Sequence, residues 1–281
     1  MRTSIVSWNV NGLRQRHKLN QFLPVFRHNP DIVCVQETKV AIDKIPPDLK
    51  YLHGYHCYYD GELPDNLLDV ILFSRQEPER VFFGFDSLPV DGEGRIIIAE
   101  YEAFTLLNIY FPLGSGPAES MEHKLTFYDA FLAYVSRLHE KGRNVIVCGD
   151  FSVAHTDSDI AKPARKTTRR VGITEEEREK LNRLIASGFS DTFRLFNKET
   201  GHYSWWPNGF YRNERSQGWR LDYIFVNSFV RPMVTGAEIL ACYEGSDHCP
   251  VIMEMEVPEE SPQHQVETSM KNREEGLALH V

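Results

Sequence analysis

Eight short apolar segments distributed along the chain constrain its fold more than any other feature. Each has the length of a β-strand and is rich in Val, Ile, Phe and Tyr. Three longer segments, about 15–28, 119–140 and 174–188, have helical character, and the last opens with Thr174 and Glu177 at the spacing of a capping box. This mixture predicts an α/β (α+β) fold in which helices cover the sheets. The strand candidates are TSIVSW (3–8), DIVCVQ (31–36), DVILFS (69–74), RIIIAEYE (95–102), FTLLNIY (104–110), NVIVCGD (144–150), LDYIFV (221–226) and VIMEMEV (251–257).

The composition is that of an ordinary globular protein. The chain has 281 residues, of which 42% are hydrophobic and 25% charged, so it can bury a substantial core. No apolar run approaches the roughly 20 residues of a membrane helix, and the N-terminal MRTSIVSWNV reads as a strand rather than a signal peptide. We therefore expect a cytoplasmic protein with no membrane partner. The net charge of −9 disfavours a protein that coats nucleic acid, but it suits a site that collects Mg²⁺ and permits a local basic groove.

The sequence changes character after Val257. Up to that residue the chain shows no repeat and no low-complexity linker, so residues 1–257 are predicted to form a single domain. Residues 258–281 are polar and lack apolar periodicity, which predicts a disordered tail. The five cysteines form no CxxC pair. Cys34 and Cys148 lie inside apolar runs and are predicted to be buried, reduced thiols.

Polar and acidic side chains stand at the ends of six of the predicted strands. Taken singly, each would be a turn or surface residue. If the strand ends converge, the acids repel one another unless a divalent cation or a protonated His compensates. Oxygen ligands favour Mg²⁺ or Mn²⁺ over zinc. The pattern therefore predicts metal-assisted attack on a phosphate ester. The residues are Asn9, Asn11, Glu37, Tyr110, Asp150, Asp222, Asp247 and His248.

Residues 1–257 resemble the exonuclease III-like apurinic/apyrimidinic (AP) endonucleases, which belong to the endonuclease/exonuclease/phosphatase superfamily. The tryptophan segment, GWRLDY and GSDHCP together are specific to the DNA-repair branch. The resemblance implies a four-layered sandwich of two packed, mixed β-sheets flanked by helices. The motifs, in the family's order, are SWNVNGLR (7–14), PDIVCVQETK (30–39), GEGR (92–95), IYFP (109–112), VIVCGDFSVAH (145–155), GITEEER (172–178), GFSDTFRLF (188–196), SWWP (204–207), GWRLDY (218–223) and GSDHCP (245–250).

The resemblance also implies a metal site. Glu37 resembles the principal Mg²⁺ ligand, with Asn9, Asn11 and Asp247 around the ion, and Mn²⁺ can substitute. Tyr110 resembles a phenol that donates a hydrogen bond to the phosphate.

The proton-transfer residues follow from the same motifs. His248 resembles the group that contacts the scissile phosphate or takes a proton from water, and Asp222 resembles the carboxylate that orients it. Asp150 resembles the residue that positions or deprotonates the attacking water. The sequence leaves open which of Asp150 and His248 is the base.

The predicted substrate contacts are of two kinds. Trp205, Trp219 and Leu221 resemble an apolar pocket for a flipped-out abasic sugar, which is cheap to flip because it carries no base. For Trp206 a core position is favoured instead. Arg14, at the end of SWNVNGLR, is a predicted DNA contact.

Several positions depart from the family pattern. Ser152 stands where the GDxN motif has Asn, and Leu113 where an Asn follows the YxP motif. Loss of one preorganised donor typically costs about 10²–10³ in rate, so Ser152 is expected to slow the enzyme rather than silence it. Residues 162–170 read KPARKTTRR. Their cations, Lys166 and Arg169 among them, are predicted to bind phosphate.

Three functions are compatible with these motifs. The first is a monomeric, Mg²⁺-dependent DNA-repair nuclease that acts on double-stranded DNA, cutting 5′ to an abasic site, trimming 3′ ends, or both. The second is an attenuated or non-nuclease member that binds nucleic acid or protein, like the catabolite repression control proteins. The third is a phosphatase of the superfamily. The retained Glu37, Asp150 and Asp247–His248 pair disfavour the second, and Trp205, Trp219 and GWRLDY disfavour the third.

Overall fold

Two six-stranded sheets form the centre of the protein. The computed structural model describes residues 1–63, 67–86, 90–161, 171–207 and 218–258. The strands are β1 (Arg2–Asn9), β2 (Ile32–Ala41), β3 (His56–Tyr58), β4 (Leu67–Ser74), β5 (Arg80–Phe82), β6 (Ile96–Glu100), β7 (Thr105–Tyr110), β8 (Val145–Asp150), β9 (Phe189–Asp191), β10 (Asp222–Asn227), β11 (Val234–Ile239) and β12 (Val251–Glu256). The first sheet has the order β11-β12-β1-β2-β4-β3 and the second β5-β6-β7-β8-β10-β9.

Helices cover the outer face of each sheet. The α-helices are α1 (Leu13–Lys18), α2 (Pro47–Lys50), α3 (Ala118–Glu140), α4 (Glu175–Ala186) and α5 (Thr192–Phe196). Short 3₁₀ helices span Leu23–His28, Ile42–Lys44, Asp157–Asp159 and Arg231–Met233. None of the helices in the described part of the chain is both long and apolar enough to cross a bilayer.

Three apolar cores hold the layers together. The middle core joins the facing sides of the two sheets and includes Cys34, Cys148 and Met253. The two outer cores attach helices to each sheet, one around Trp8 and the other around Phe111. The predicted four-layered sandwich is therefore confirmed. Cys34 and Cys148 are fully buried and free, as predicted.

The strand register brings the polar strand ends together. In the second sheet, Asp150 at the end of β8 stands opposite Tyr110 of the parallel β7 and Asp222 of the antiparallel β10. In the first sheet, Asn9 at the end of β1 stands opposite Gln36 of the parallel β2. Because the two sheets pack face to face, these ends lie at one edge of the sandwich.

Most predicted elements are present, with three corrections. The predicted helix 15–28 is wrong as a single helix, because it is interrupted at Asn20, which has a φ of 54°, before the 3₁₀ helix that contains Pro24. The predicted second strand was too short: β2 runs on through Glu37 to Ala41. Four strands were not predicted, β3, β5, β9 and β11, of which three have only three residues.

Two predictions concern residues outside the described part of the chain. The basic segment 162–170, with Lys166 and Arg169, lies outside the described residues, as does the predicted tail apart from Pro258.

The predicted capping box of α4 is confirmed, since the Thr174 hydroxyl accepts from the Glu177 amide and the Glu177 carboxylate accepts from the Thr174 amide.

Candidate active site

Glu37 is presented by an irregularity inside β2 rather than by the end of a strand. The register between β2 and β4 shifts between Gln36 and Val40. Within this bulge Glu37 and Lys39 have φ values of 47° and 48°, a conformation that few non-glycine residues adopt. The bulge turns the Glu37 carboxylate towards β1 and Asp150. Backbone strain of this kind is concentrated at functional sites.

The Glu37 carboxylate has two partners. Asn9 Nδ2 donates to Oε1 at 2.9 Å, and Lys39 Nζ lies 2.6 Å from Oε2. Burial raises the pKa of Glu37, but these bonds and the charge of His248 outweigh it and lower the pKa below its usual value. The carboxylate is therefore ionised at neutral pH.

Two hydrogen bonds hold the Asp150 carboxylate in place. Asn9 Nδ2 donates to Oδ2 at 2.9 Å, and the Ser152 amide donates to Oδ1 at 2.8 Å. The preceding residue must be glycine, because a Cβ at Gly149 would lie 1.8 Å from the carbonyl oxygen of Ile109. Burial raises the pKa of Asp150, the charge of His248 opposes this, and the charges of Asp222 and Glu37 add to it, so that the pKa is raised to about 7.

His248 is paired with Asp222. Nδ1 lies 2.8 Å from Asp222 Oδ2, and Nε2 lies 3.8 Å from Asp150 Oδ2. Burial lowers the pKa of His248, but the charges of Asp222 and Asp150 outweigh it and raise the pKa to about 10. The imidazole is therefore protonated at neutral pH, with Nδ1–H directed at Asp222.

Asp247 precedes His248 in the chain, but its carboxylate bonds a different set of residues. Asn11 Nδ2 donates to Oδ1 at 2.9 Å, and Trp205 Nε1 donates to Oδ2 at 3.0 Å. Asn11 Oδ1 accepts from Lys39 Nζ at 2.7 Å, so Lys39 bridges the groups around Asp247 and Glu37. Burial raises the pKa of Asp247, but the charge of His248 and these bonds lower it overall.

Tyr110 lies beside Glu37 at the end of β7. Its side chain is almost fully buried, and the guanidinium of Arg95 lies 4.8 Å from the centre of its ring. Burial raises the pKa of Tyr110 well above its usual value, and the charges of Glu37 and Asp150 raise it further. The phenol therefore keeps its proton and can donate it in a hydrogen bond.

An apolar pocket opens next to these groups. Trp205 and Trp219 pack edge to face, with ring centres 5.8 Å apart, and Leu221 and Gly172 complete the wall. The cavity has a volume of about 440 Å³ and is bounded on its polar side by Glu37, Asp150, Asp247 and His248. Trp206 is buried in a separate cluster with Tyr203 and Cys249, as predicted.

Of the remaining predicted residues, Arg14 lies apart from this cluster, whereas Leu113 and Ser152 lie beside it. Arg14 is exposed on α1, near Asp43, and takes part in none of the contacts given above. Leu113 lines the cavity with a half-exposed side chain. Ser152 also lines the cavity, and its hydroxyl lies 3.3 Å from the carbonyl oxygen of Phe111 and 3.4 Å from Asp150 Oδ1.

Three supporting residues were not predicted. Lys39 connects Glu37 and Asn11. The Ser204 hydroxyl accepts from the Asp222 amide, and the Ser246 hydroxyl donates to the carbonyl oxygen of Asn9 and accepts from the His248 amide. All three lie inside the motifs QETK, SWWP and GSDHCP, which is the signal that could have identified them.

The site can hold a metal ion. One ligand-type atom from each of Glu37, Asp150 and His248 lies within 4.8 Å of the others, and the imidazole of His248 would have to give up its proton before it could bind a cation. Two of the three are carboxylates, whose oxygens suit a hard cation. Asn9 directs its amide nitrogen at Glu37 and Asp150, and Asn11 directs its amide nitrogen at Asp247.

Known proteins are similar to this chain in both sequence and fold. Residues 6–248 match the Endonuclease/Exonuclease/phosphatase family. The chain is 38% identical over 248 residues to Recombination repair protein 1 of Drosophila melanogaster, an alignment that covers 88% of this chain but only 36% of that protein. It is 34% identical over 252 residues to an exodeoxyribonuclease of Bacillus subtilis, covering 88% and 97% of the two chains.

Among solved structures, an AP endonuclease from Archaeoglobus fulgidus superimposes with a TM-score of 0.79 at 28% identity, covering 91% of this chain and all of that one. The chain therefore belongs to the endonuclease/exonuclease/phosphatase family, in its exonuclease III-like AP endonuclease branch, and the predictions of this family and of a nuclease are confirmed.

Proposed function

We propose that this protein is a Mg²⁺-dependent DNA-repair nuclease that hydrolyses the phosphodiester 5′ to an abasic site and also removes nucleotides from 3′ ends. The observation that carries the proposal is the position of His248, Asp150 and Glu37 at the mouth of the tryptophan-lined pocket. A phosphodiester beside these groups places the adjoining sugar against Trp205 and Trp219.

DNA as the substrate is supported by two observations. Two of the proteins named above are an exodeoxyribonuclease and an AP endonuclease. The pocket is apolar, which suits a sugar that has lost its base, and extruding such a sugar from the duplex requires no unstacking of a base.

Glu37 and Asp247 are the proposed Mg²⁺ ligands, with Asn9 and Asn11 beside them. The carboxylate oxygens of Glu37 and Asp247 suit a hard cation. When bound, the ion supplies positive charge that offsets the charge of the phosphate and of the nearby carboxylates. Lys39 bonds both Glu37 and Asn11, so its ammonium group compensates part of the same negative charge.

The directions of the pKa shifts support Asp150 rather than His248 as the base. Asp150, with a pKa of about 7, is half ionised at neutral pH and can take a proton from the attacking water. His248, whose pKa is raised to about 10, carries its proton at neutral pH and is therefore the weaker candidate for the base. We therefore assign the base to Asp150. The imidazolium of His248 donates to a phosphate oxygen and stabilises the charge that builds up as the P–O bond breaks.

Tyr110 completes the proposed phosphate contacts, and Ser152 positions Asp150. The Tyr110 phenol, kept protonated by burial and by the nearby carboxylates, donates to a phosphate oxygen. Ser152 fixes Asp150 through its amide, but its short hydroxyl is occupied with the carbonyl oxygen of Phe111. The enzyme is therefore expected to be slower than a relative with Asn at this position. A monomer, a cytoplasmic location and a domain that ends at residue 257 stay predictions of the sequence.

The test is an incision assay on a labelled duplex with one abasic-site analogue, in Mg²⁺ or in EDTA. We expect a single cut 5′ to the lesion, dependent on Mg²⁺ and lost in Glu37→Ala. The same duplex with a recessed 3′ end measures exonuclease activity. No product from either substrate with Mg²⁺ would refute the proposal, and release of phosphate from small esters alone would identify a phosphatase.

A further inference from the structure

A fully buried ion pair lies directly behind the catalytic pocket. Lys124 on α3 and Glu177 on α4 both have side chains with 0% exposure, and Nζ lies 2.6 Å from Oε1. Such a pair is weak evidence for stability, because well-packed apolar residues in its place are often as stable or more stable. The other contacts of the two side chains indicate a different role.

Lys124 fastens two loops of the pocket. Its ammonium group donates to the carbonyl oxygen of Ser152 at 2.9 Å and to that of Leu113 at 3.2 Å. Both residues line the cavity. The loop after β7 passes close over the lysine, since a Cβ at Gly114, which has a φ of 72°, would lie 2.8 Å from Lys124 Cδ. Lys124 therefore sets the distance between the two loops.

Glu177 fastens a third loop. Besides capping α4, its carboxylate accepts from the Gly172 amide, at 2.9 Å to Oε1 and 2.7 Å to Oε2. Gly172 also lines the cavity, and a Cβ added there would lie 3.0 Å from the ring of Trp219. The carbonyl oxygen of Gly172 accepts from the Ala154 amide at 2.8 Å. Glu177 therefore links the tryptophan wall to the loop that follows Asp150.

Ser152 connects these contacts to Asp150, the proposed base. Its φ of 52° is left-handed, which is unfavourable for serine and persists only where the surroundings impose it. Lys124 holds its carbonyl oxygen, and its amide holds Asp150 Oδ1 at 2.8 Å. A shift of this peptide would move the carboxylate that we assign as the base.

We propose that the Lys124–Glu177 pair is the positioning element of the active site, fixing the three pocket loops and, through the Ser152 peptide, the orientation of Asp150. The inference rests on the proposed function, because it needs the catalytic role of Asp150. Neither residue touches the substrate. Both act through backbone groups, so their removal affects turnover more than binding.

The test uses the variants Lys124→Met and Lys124→Met/Glu177→Gln in the incision assay. The single variant leaves a buried charge unpaired and is expected to lower the thermal unfolding midpoint. The double variant removes both charges and is expected to recover part of that loss, since the carbonyl oxygens of Ser152 and Leu113 still lack the lysine donor. Its kcat is expected to stay roughly 10- to 100-fold below wild type with KM within about threefold, since a displacement of about 1 Å can cost 10² in rate.

The matched control is Asp129→Asn/Lys180→Met. It removes the Lys180–Asp129 ion pair between α3 and α4, at 2.7 Å, and the Arg183–Asp129 pair beside it, at 2.8 Å, and these residues contact none of the pocket loops. It is expected to leave kcat and KM unchanged. A double variant at Lys124 and Glu177 that turns over like wild type would overturn the inference, as would an equal loss of kcat in the control. Failure of the proposed function is distinguished from both, because wild type itself would then give no incision.

Discussion

His248 and Asp222 form a hydrogen bond of 2.8 Å between Nδ1 and Oδ2, and both side chains are almost fully buried. Together with Asp150, the Asp222 carboxylate overcomes the effect of burial and raises the pKa of His248 from 6.5 to about 10. The bound proton therefore stabilises the folded state fully below about pH 6.5, and this contribution is lost as the pH rises through about 10.

Asp222→Asn is expected to move the alkaline limb of the pH–rate profile. In wild type, incision should fall only near pH 10, where His248 loses its proton. Without the Asp222 charge the pKa of His248 falls, so the limb shifts to lower pH and the rate at pH 8 drops by about 10² or more. Measurement of kcat/KM from pH 5 to about 10 checks this, with titration of the imidazole by NMR. An unshifted limb in Asp222→Asn would show that His248 does not donate to the reaction.

Asp150→Asn tests the assignment of the base. Because burial raises the pKa of Asp150 to about 7, the wild-type rate should increase with pH through that value as the carboxylate ionises. Removal of the base is expected to lower kcat by about 10²–10⁴ and to abolish this acidic limb. If Asp150→Asn kept the acidic limb near pH 7, a group other than Asp150 would be the base.

The sequence predicted the central strands and most of the site because its polar residues interrupt regular apolar runs. Asp150 ends such a run, and its register with Asp222 follows once β8 and β10 pair. Glu37 was found by its motif but placed wrongly at a strand end. The bulge that presents it rests on left-handed φ values at Glu37 and Lys39, which no glycine signals.

Contacts between residues distant in sequence could not be predicted. Lys124 lies on a long helix, where a lysine is normally exposed, and its partner Glu177 is 53 residues away. The Thr174–Glu177 spacing predicted only the local cap. Tertiary packing decides that the same carboxylate is buried against Lys124, and one sequence carries no signal of that contact.

Glu37→Ala is expected to abolish stabilisation by Mg²⁺. An ion that binds only the folded state stabilises it by about 2.7 kcal/mol when its concentration is 100 times Kd. Added Mg²⁺ should therefore raise the thermal midpoint of wild type and of the control Glu119→Gln, an exposed acid on α3. The midpoint of Glu37→Ala should not respond. Equal Mg²⁺ shifts in all three proteins would place the ion elsewhere.

Ser152→Asn is expected to raise activity. Asn tolerates the left-handed φ of 52° better than Ser, and its longer amide can reach past the carbonyl oxygen of Phe111 into the cavity. A restored donor to the phosphate or the attacking water should increase kcat by about 10- to 100-fold. Single-turnover incision measures the chemical step directly. A rate unchanged from wild type would show that the serine hydroxyl already serves as the donor.

Trp219→Phe is expected to weaken discrimination between abasic and intact nucleotides. Trp219 forms the pocket wall against Trp205, whereas Trp206 is buried in a different cluster, so Trp206→Phe is the matched control. Both substitutions should cost roughly 1–2 kcal/mol of stability, as buried truncations do. Only the first widens the pocket, and a change of pocket size by one group alters selectivity by about 10-fold or more. The ratio of kcat/KM for an abasic duplex to that for an undamaged duplex measures this. If that ratio fell equally in both variants, stability rather than the shape of the pocket would set the preference.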